Sequence, residues 1–107
     1  MENCIFCQIA TKQAPAKLVY EDTEFVAFHD IDPKAPIHVL VVPREHIPRL
    51  ADYPESAEGE QKMGRLLATV NRVAREMDLE GYRVLINVGF QGGQRVFHVH
   101  AHLISGL

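Results

Sequence analysis

The sequence predicts an α+β domain on a mainly antiparallel five-stranded sheet with one long helix, and three observations carry that prediction. Short apolar runs rich in β-branched residues lie at hairpin spacing, one long segment has helical periodicity, and more strand-like runs follow it. A chain of 107 residues fits one hydrophobic core, so positions 1–107 read as a single domain.

Leu18 to Glu21 and Phe25 to Phe28 are short strands, and Asp22-Thr23-Glu24 between them is a tight turn. Asp32-Pro33-Lys34-Ala35-Pro36 breaks the pattern. Ile37 to Val42 is then an almost unbroken apolar run ended by Pro43, as expected of a central strand covered on both faces, and its one polar residue is His38.

From about Glu58 to Met77 the apolar residues Met63, Leu66, Leu67, Val70, Val73, Ala74 and Met77 recur at three- and four-residue steps, the signature of an amphipathic helix. Ser56, with Glu58 and Glu60 after it, suits the start, and Gly81 the stop. Tyr82 to Val88 and Val96 to Ile104 read as two more strands, joined by the loop Gly89 to Arg95.

The net charge is −3, and no basic block could track the phosphates of a polymer, so nucleic acid is not an expected partner. No apolar run approaches the ~20 residues that span a bilayer, and Met1-Glu2-Asn3-Cys4 does not begin a charged leader with an apolar stretch. The expected setting is cytoplasmic, with no membrane partner. In a reducing compartment the pair Cys4 and Cys7 reads as a metal or redox motif before a structural disulfide.

The most informative segment is Phe97-His98-Val99-His100-Ala101-His102-Leu103-Ile104. In a strand the three imidazoles share one face at about 6 to 7 Å spacing, while Val99, Ala101 and Leu103 pack inward. An imidazole with its ordinary pKa of ~6.5 offers both a neutral nucleophile and an acid near pH 7. One ring can attack phosphorus while a neighbour protonates the leaving atom. The flanked central ring makes His100 the expected nucleophile and His102 the expected acid. A solvent-facing polar row and a metal-binding face are the competing readings. Gly92-Gly93-Gln94 enters this strand, and glycines there let backbone N–H groups approach an anion.

These residues resemble a histidine triad protein: His98 to Ile104 match its His-x-His-x-His signature with two apolar residues after it. Phe28 to Pro43, and Tyr82 to Asn87 leading to Gly92-Gly93-Gln94, are similar to the Hint branch, and the likeness runs from about Cys4 to Ser105. The resemblance implies a homodimer of α+β subunits, each with a short N-terminal helix. The implied enzyme hydrolyses the phosphorus–nitrogen bond of a purine nucleoside phosphoramidate through a nucleotidyl-histidine intermediate and releases the nucleoside monophosphate. Carried over by position, His100 is the nucleophile, with His38, His98 and His102 in the catalytic group. Phe28, His29, Asp30 and Ile31 then serve ribose and base; Asn87, Gly93, Gln94 and Arg95, with His100 and His102, surround the phosphate. From the residues alone, Asp30 equally suits a turn cap before Pro33, and Asn87 a strand end.

Two departures stand out. Arg95 replaces a small hydroxyl residue, so it would either add a phosphate contact or point to solvent. The chain ends at Gly106-Leu107, where Hint proteins usually continue, which leaves amine specificity open. Some bacterial members resemble this chain in holding zinc with a cysteine pair and two histidines, here Cys4, Cys7, His46 and His98. Such a filled tetrahedron would be structural, with no cofactor needed for catalysis. A redox pair and two buried small residues are the alternatives. Nearer functional alternatives are dinucleoside polyphosphate cleavage, nucleotidyl transfer, and a non-catalytic nucleotide-binding module.

Overall fold

A computed structural model describes residues 3–107, so the leader reading at Met1 and Glu2 lies outside the described residues. The elements in order are α1 (Ile5–Ala10), β1 (Leu18–Glu21), β2 (Phe25–His29), β3 (Ile37–Pro43), α2 (Ala57–Glu76), β4 (Arg83–Leu85) and β5 (Ala101–Ser105). The strands form one five-stranded sheet in the order β1-β2-β3-β5-β4, and every neighbouring pair is antiparallel. This is the α+β architecture expected from the sequence. No helix among the described residues is long and apolar enough to cross a membrane.

The first hairpin is fixed by Asp22, whose Oδ1 accepts from the backbone N–H groups of Glu24 and Phe25 at 2.7 Å each. Central β3 is buried on both faces. Ala27, Val39, Val41, Val99, Ala101 and Leu103 pack under α2, against Leu66, Val70, Val73 and Ala74. On the other face Val26, Phe28, Leu40 and Val42 meet α1 through Phe6, Cys7, Ile9 and Ala10.

Ser56 caps α2 as its sequence suggests, its hydroxyl accepting from the Gly59 N–H at 3.1 Å. The stop differs from expectation. Asp78, not Gly81, takes the left-handed conformation, at φ 56°. Its N–H donates to Arg75 O at 3.1 Å and the Leu79 N–H to Ala74 O at 3.0 Å, the paired bonds of a Schellman close. Asp tolerates that conformation because its short polar side chain can bond locally, so no glycine is required. Helix α1 closes in the same way at Lys12, at φ 64°.

The last two strands are shorter than their sequence runs. Tyr82 to Val88 contributes only Arg83–Leu85 to the ladder, and Val96 to Ile104 contributes only residues from Ala101 onward. Residues before Ala101 are held by other bonds: the Val99 N–H donates to Ile47 O at 2.7 Å, and Val96 O accepts from the Gln94 side chain at 2.9 Å. The backbone bends at Val96, Phe97 and His98 and has no partner strand there.

Candidate active site

Although the ladder starts late, the alternation of faces survives through the irregular residues. Val99, Ala101 and Leu103 are fully buried under α2, while His98, His100 and His102 turn to the side covered by α1. The His100 and His102 ring centroids lie 5.0 Å apart. The register pairs Leu40 with His102 and His38 with Ile104, which sets His38 on the same face, and its ring centroid is 5.1 Å from that of His102.

Each ring's outer hydrogen bond fixes its tautomer. The carbonyl of Pro43 accepts from His98 Nε2–H at 2.7 Å, leaving the His98 Nδ1 lone pair free. The carbonyl of His98 accepts from His100 Nδ1–H at 2.8 Å, so the His100 Nε2 lone pair is free, and it has no hydrogen bond among the described residues. Phe6 packs edge-on against His100 and His98, with centroids 5.0 and 5.8 Å away, and against Phe28 at 5.5 Å. The short helix α1 thus clamps two of the three rings.

Burial pushes the His100 imidazole down, against the opposing pull of the His98 carbonyl and Asp30. Burial, with His100 and His38 nearby, pushes His102 down to about 4. This corrects the simplest sequence argument: in the unliganded chain His102 is neutral near pH 7 and is not an acid poised at its ordinary value. Its Nε2 is buried with no hydrogen-bond partner among the described residues. Asp30 joins the cluster, with Oδ2 3.3 Å from His38 Nε2.

The remaining expected positions divide. Phe28 is buried beneath Phe6 on the histidine face. His29 pairs with Val39, whose side chain lies under α2, so the pleat turns His29 away from the imidazoles. Ile31 is 100% exposed in the single chain and packs on nothing. Asn87 stands beside Gly93, whose added Cβ would lie 3.7 Å from Asn87 Oδ1, and Gly93 adopts φ 93°. Gln94 is 1% exposed and turned inward: its amide donates to Pro48 O at 2.7 Å and Val96 O at 2.9 Å, and its Oε1 accepts from the Gly89 N–H at 2.9 Å. The backbone N–H groups of Gly92, Gly93 and Gln94 are also spent within the loop, on Gly89 O and Phe90 O. Arg95 folds back over Phe90, 4.4 Å from the ring centroid, and donates to Phe90 O and Gln94 O.

Cys4, Cys7, His46 and His98 converge on one point. Cys4 Sγ lies 3.2 Å from His98 Nδ1, and Cys7 Sγ lies 3.4 Å from His46 Nδ1 and 3.5 Å from His98 Nδ1. A tetrahedral ion with ordinary sulfur and imidazole bonds needs ligand separations of about 3.6 Å, so this set could hold one after a small expansion. Both thiols are free and buried. Burial and the adjacent Cys4 sulfur push the Cys7 thiol up, a cost that a bound dication would reverse.

Sequence reasoning overlooked Phe6 and the main-chain groups of Lys34, Pro43 and His98. An aromatic between two cysteines is a visible signal in retrospect. Main-chain donors and acceptors have none, because every residue type carries them.

Fold and site together define a class: an α+β protein presenting a row of histidines, with fixed tautomers, beside a Cys2His2 cluster. The HIT domain family model matches residues 11–107. The chain is 45% identical over 106 residues to protein HitA of Neisseria gonorrhoeae, spanning 98% of this chain and 97% of that one. It is 39% identical over 107 residues to the purine nucleoside phosphoramidase of Escherichia coli, spanning 98% and 88%. Among solved structures, a histidine triad protein from Clostridium difficile superposes with a TM-score of 0.94 at 38% identity, covering 100% and 93% of the two chains. A HIT family hydrolase from Legionella pneumophila superposes at 0.90 with 38% identity, covering 98% and 94%. The chain belongs to the HIT domain family and is Hint-like within it.

Proposed function

We propose that the protein is a nucleotide hydrolase that cleaves the phosphorus–nitrogen bond of purine nucleoside 5'-phosphoramidates, with His100 as nucleophile. The observation that carries this reading is the pair of ring nitrogens: His100 Nε2 offers a free lone pair, and the buried His102 Nε2 has no partner beside it.

His100 Nε2 attacks the α-phosphorus, forming a phosphorus–nitrogen bond to the enzyme as the substrate's own phosphorus–nitrogen bond breaks. The amine leaves with a proton from His102. Burial keeps the unliganded ring neutral, and the bound phosphoryl anion supplies the counter-charge for the proton that the Asp30–His38–His102 cluster takes from solvent, so that the ring is neutral again after its Nε2 has donated. In the second half, water attacks the nucleotidyl-histidine while His102 accepts its proton. The nucleoside monophosphate departs and His100 Nε2 recovers its lone pair. His38 holds His102 in place by the hydrogen bond between their rings; in this reading Asp30 serves the ribose hydroxyls, and Asn87 with Gly93 serves the phosphate. Turnover needs no metal on this face. The relative from Escherichia coli, a purine nucleoside phosphoramidase by name, supports the choice of substrate.

Zinc is the ion proposed for Cys4, Cys7, His46 and His98. Four protein ligands leave no open position, so it would brace α1 against the His98 segment and supply no catalytic step. A homodimer is proposed as well, in keeping with the exposed Tyr82, Val84, Leu85 and Val88 along the β4 edge. Light scattering should give twice the chain mass, and a monomer across the micromolar range would remove it.

The test of the reaction is an adenosine phosphoramidate assay on the unmodified protein and on His100→Asn. Loss of at least about 1,000-fold in kcat/KM is expected, in line with removal of a covalent nucleophile. Full activity in the variant would end the proposal, and nucleotide binding without turnover by the unmodified protein would favour a binding module.

A further inference from the structure

The Asp30, His38 and His102 cluster is closed by a main-chain group that the reaction above does not use. The Lys34 N–H points at His38 Nδ1, 3.0 Å away. A peptide N–H can only donate, so His38 Nδ1 is the acceptor and carries no proton. The proton of neutral His38 therefore sits on Nε2, where it is 2.9 Å from His102 Nδ1 and 3.3 Å from Asp30 Oδ2. His102 Nδ1 accepts it, which leaves the proton of neutral His102 on Nε2. That is the buried nitrogen with no partner, now identified as a donor awaiting an acceptor.

We propose that the main-chain N–H of Lys34 is a positioning group: it places a proton on His102 Nε2 through His38, and it bars a divalent cation from the Asp30–His38–His102 cluster. The first half deepens the hydrolase reading and rests on it for its purpose; the second half stands without it.

The exclusion follows from the same hydrogen bond. Asp30, His38 and His102 bring their ligand atoms within 4.8 Å of one another, and two imidazoles with a carboxylate are a common donor set for divalent transition metals. Coordination through His38 Nε2 needs a lone pair there, which would move the proton to Nδ1. It would then face the Lys34 N–H, donor against donor. His98 shows the opposite arrangement on the same sheet face: the Pro43 carbonyl behind the ring takes the Nε2 proton and frees Nδ1 toward the two sulfurs. An acceptor behind one ring makes it a ligand, and a donor behind the other makes it a proton carrier. The loop is built to hold that donor in place. Asp30 Oδ1 accepts from the Asp32 N–H at 2.8 Å, the Asp30 N–H donates to His38 O at 2.9 Å, and the Lys34 ammonium pairs with Asp32 on the outside at 2.7 Å.

The test replaces the amide of residue 34 with an ester, using the α-hydroxy acid analogue of lysine in the full chain, so that only the N–H is lost. Lys34→Pro removes the same N–H by ordinary mutagenesis, and Lys34→Ala keeps it. Imidazole nitrogen-15 NMR reads the tautomers and Co²⁺ titration reads the metal sites. In the unmodified chain and in Lys34→Ala, both His38 and His102 should be protonated on Nε2, and this cluster should take no cobalt. In the ester form His38 should shift to the Nδ1–H tautomer, and one further equivalent of Co²⁺ should bind per chain, lost again in an added His102→Ala. An unmodified chain with His38 protonated on Nδ1, or an ester form with unchanged tautomers and no added cobalt, overturns the proposal. Neither readout needs turnover. A chain with the expected tautomers that leaves phosphoramidates intact would sink the hydrolase reading alone.

Discussion

Replacing Gln94 with Ala should unfold the protein far more readily than a change in a glycine-rich surface loop normally does. The side chain makes three hydrogen bonds while 1% exposed, tying the loop at Gly89 to the segment after β3 at Pro48 and to the approach to β5 at Val96. Each such bond contributes about 1 kcal/mol net, and the lost side-chain methylene adds about 0.8 kcal/mol. The sum is about 3 to 4 kcal/mol, a large part of the 5 to 15 kcal/mol that holds a domain of this size together. Urea denaturation at fixed protein concentration is the assay, because any dimer makes the midpoint concentration-dependent. A thermal scan should show a loss of more than about 10 °C. Gln94→Glu should be no better, since it sets a carboxylate against two carbonyl oxygens. A loss below about 1 kcal/mol for Gln94→Ala would refute the reasoning.

Acid should destabilise the unliganded chain through His102. Its folded value of about 4 lies below the ordinary ~6.5 of an unfolded histidine, so between those values the unfolded state binds more protons. The contribution is complete above about pH 6.5 and disappears as pH falls toward 4, with a ceiling of about 3 kcal/mol. Urea midpoints across that window should fall with pH, and less steeply in His102→Asn; equal slopes would contradict the burial argument. Protein purified without chelator should carry about one zinc per chain, and Cys4→Ser should lose it, read by elemental analysis and thiol titration. Metal-free protein with two reactive thiols would remove the site.

Much of this fold was legible because its signals are side-chain patterns. The spacing from Met63 to Met77 marked α2 and Ser56 marked its start, while Asp22 and its neighbours marked the first turn. What misled was the assumption that an alternating run is all ladder. Residues 96–100 keep the alternation of a strand because Val99 and His98 are each held from their own side, by Ile47 and Pro43, with no strand alongside. The stop of α2 went to Asp78 because a local Schellman close outweighed a glycine three residues farther on. At the site, the histidines and cysteines were visible as residue types. The roles of Gln94 and Arg95 were not, because an amide or a guanidinium serves a loop carbonyl as readily as a phosphate.

His98 works with two separable halves. Its carbonyl orients His100, and its ring faces the two sulfurs. Any amino acid at position 98 keeps a carbonyl, whereas only the imidazole also reaches Pro43 O and faces the sulfurs, so losing the ring would remove the metal ligand and slacken the backbone that carries the nucleophile's anchor.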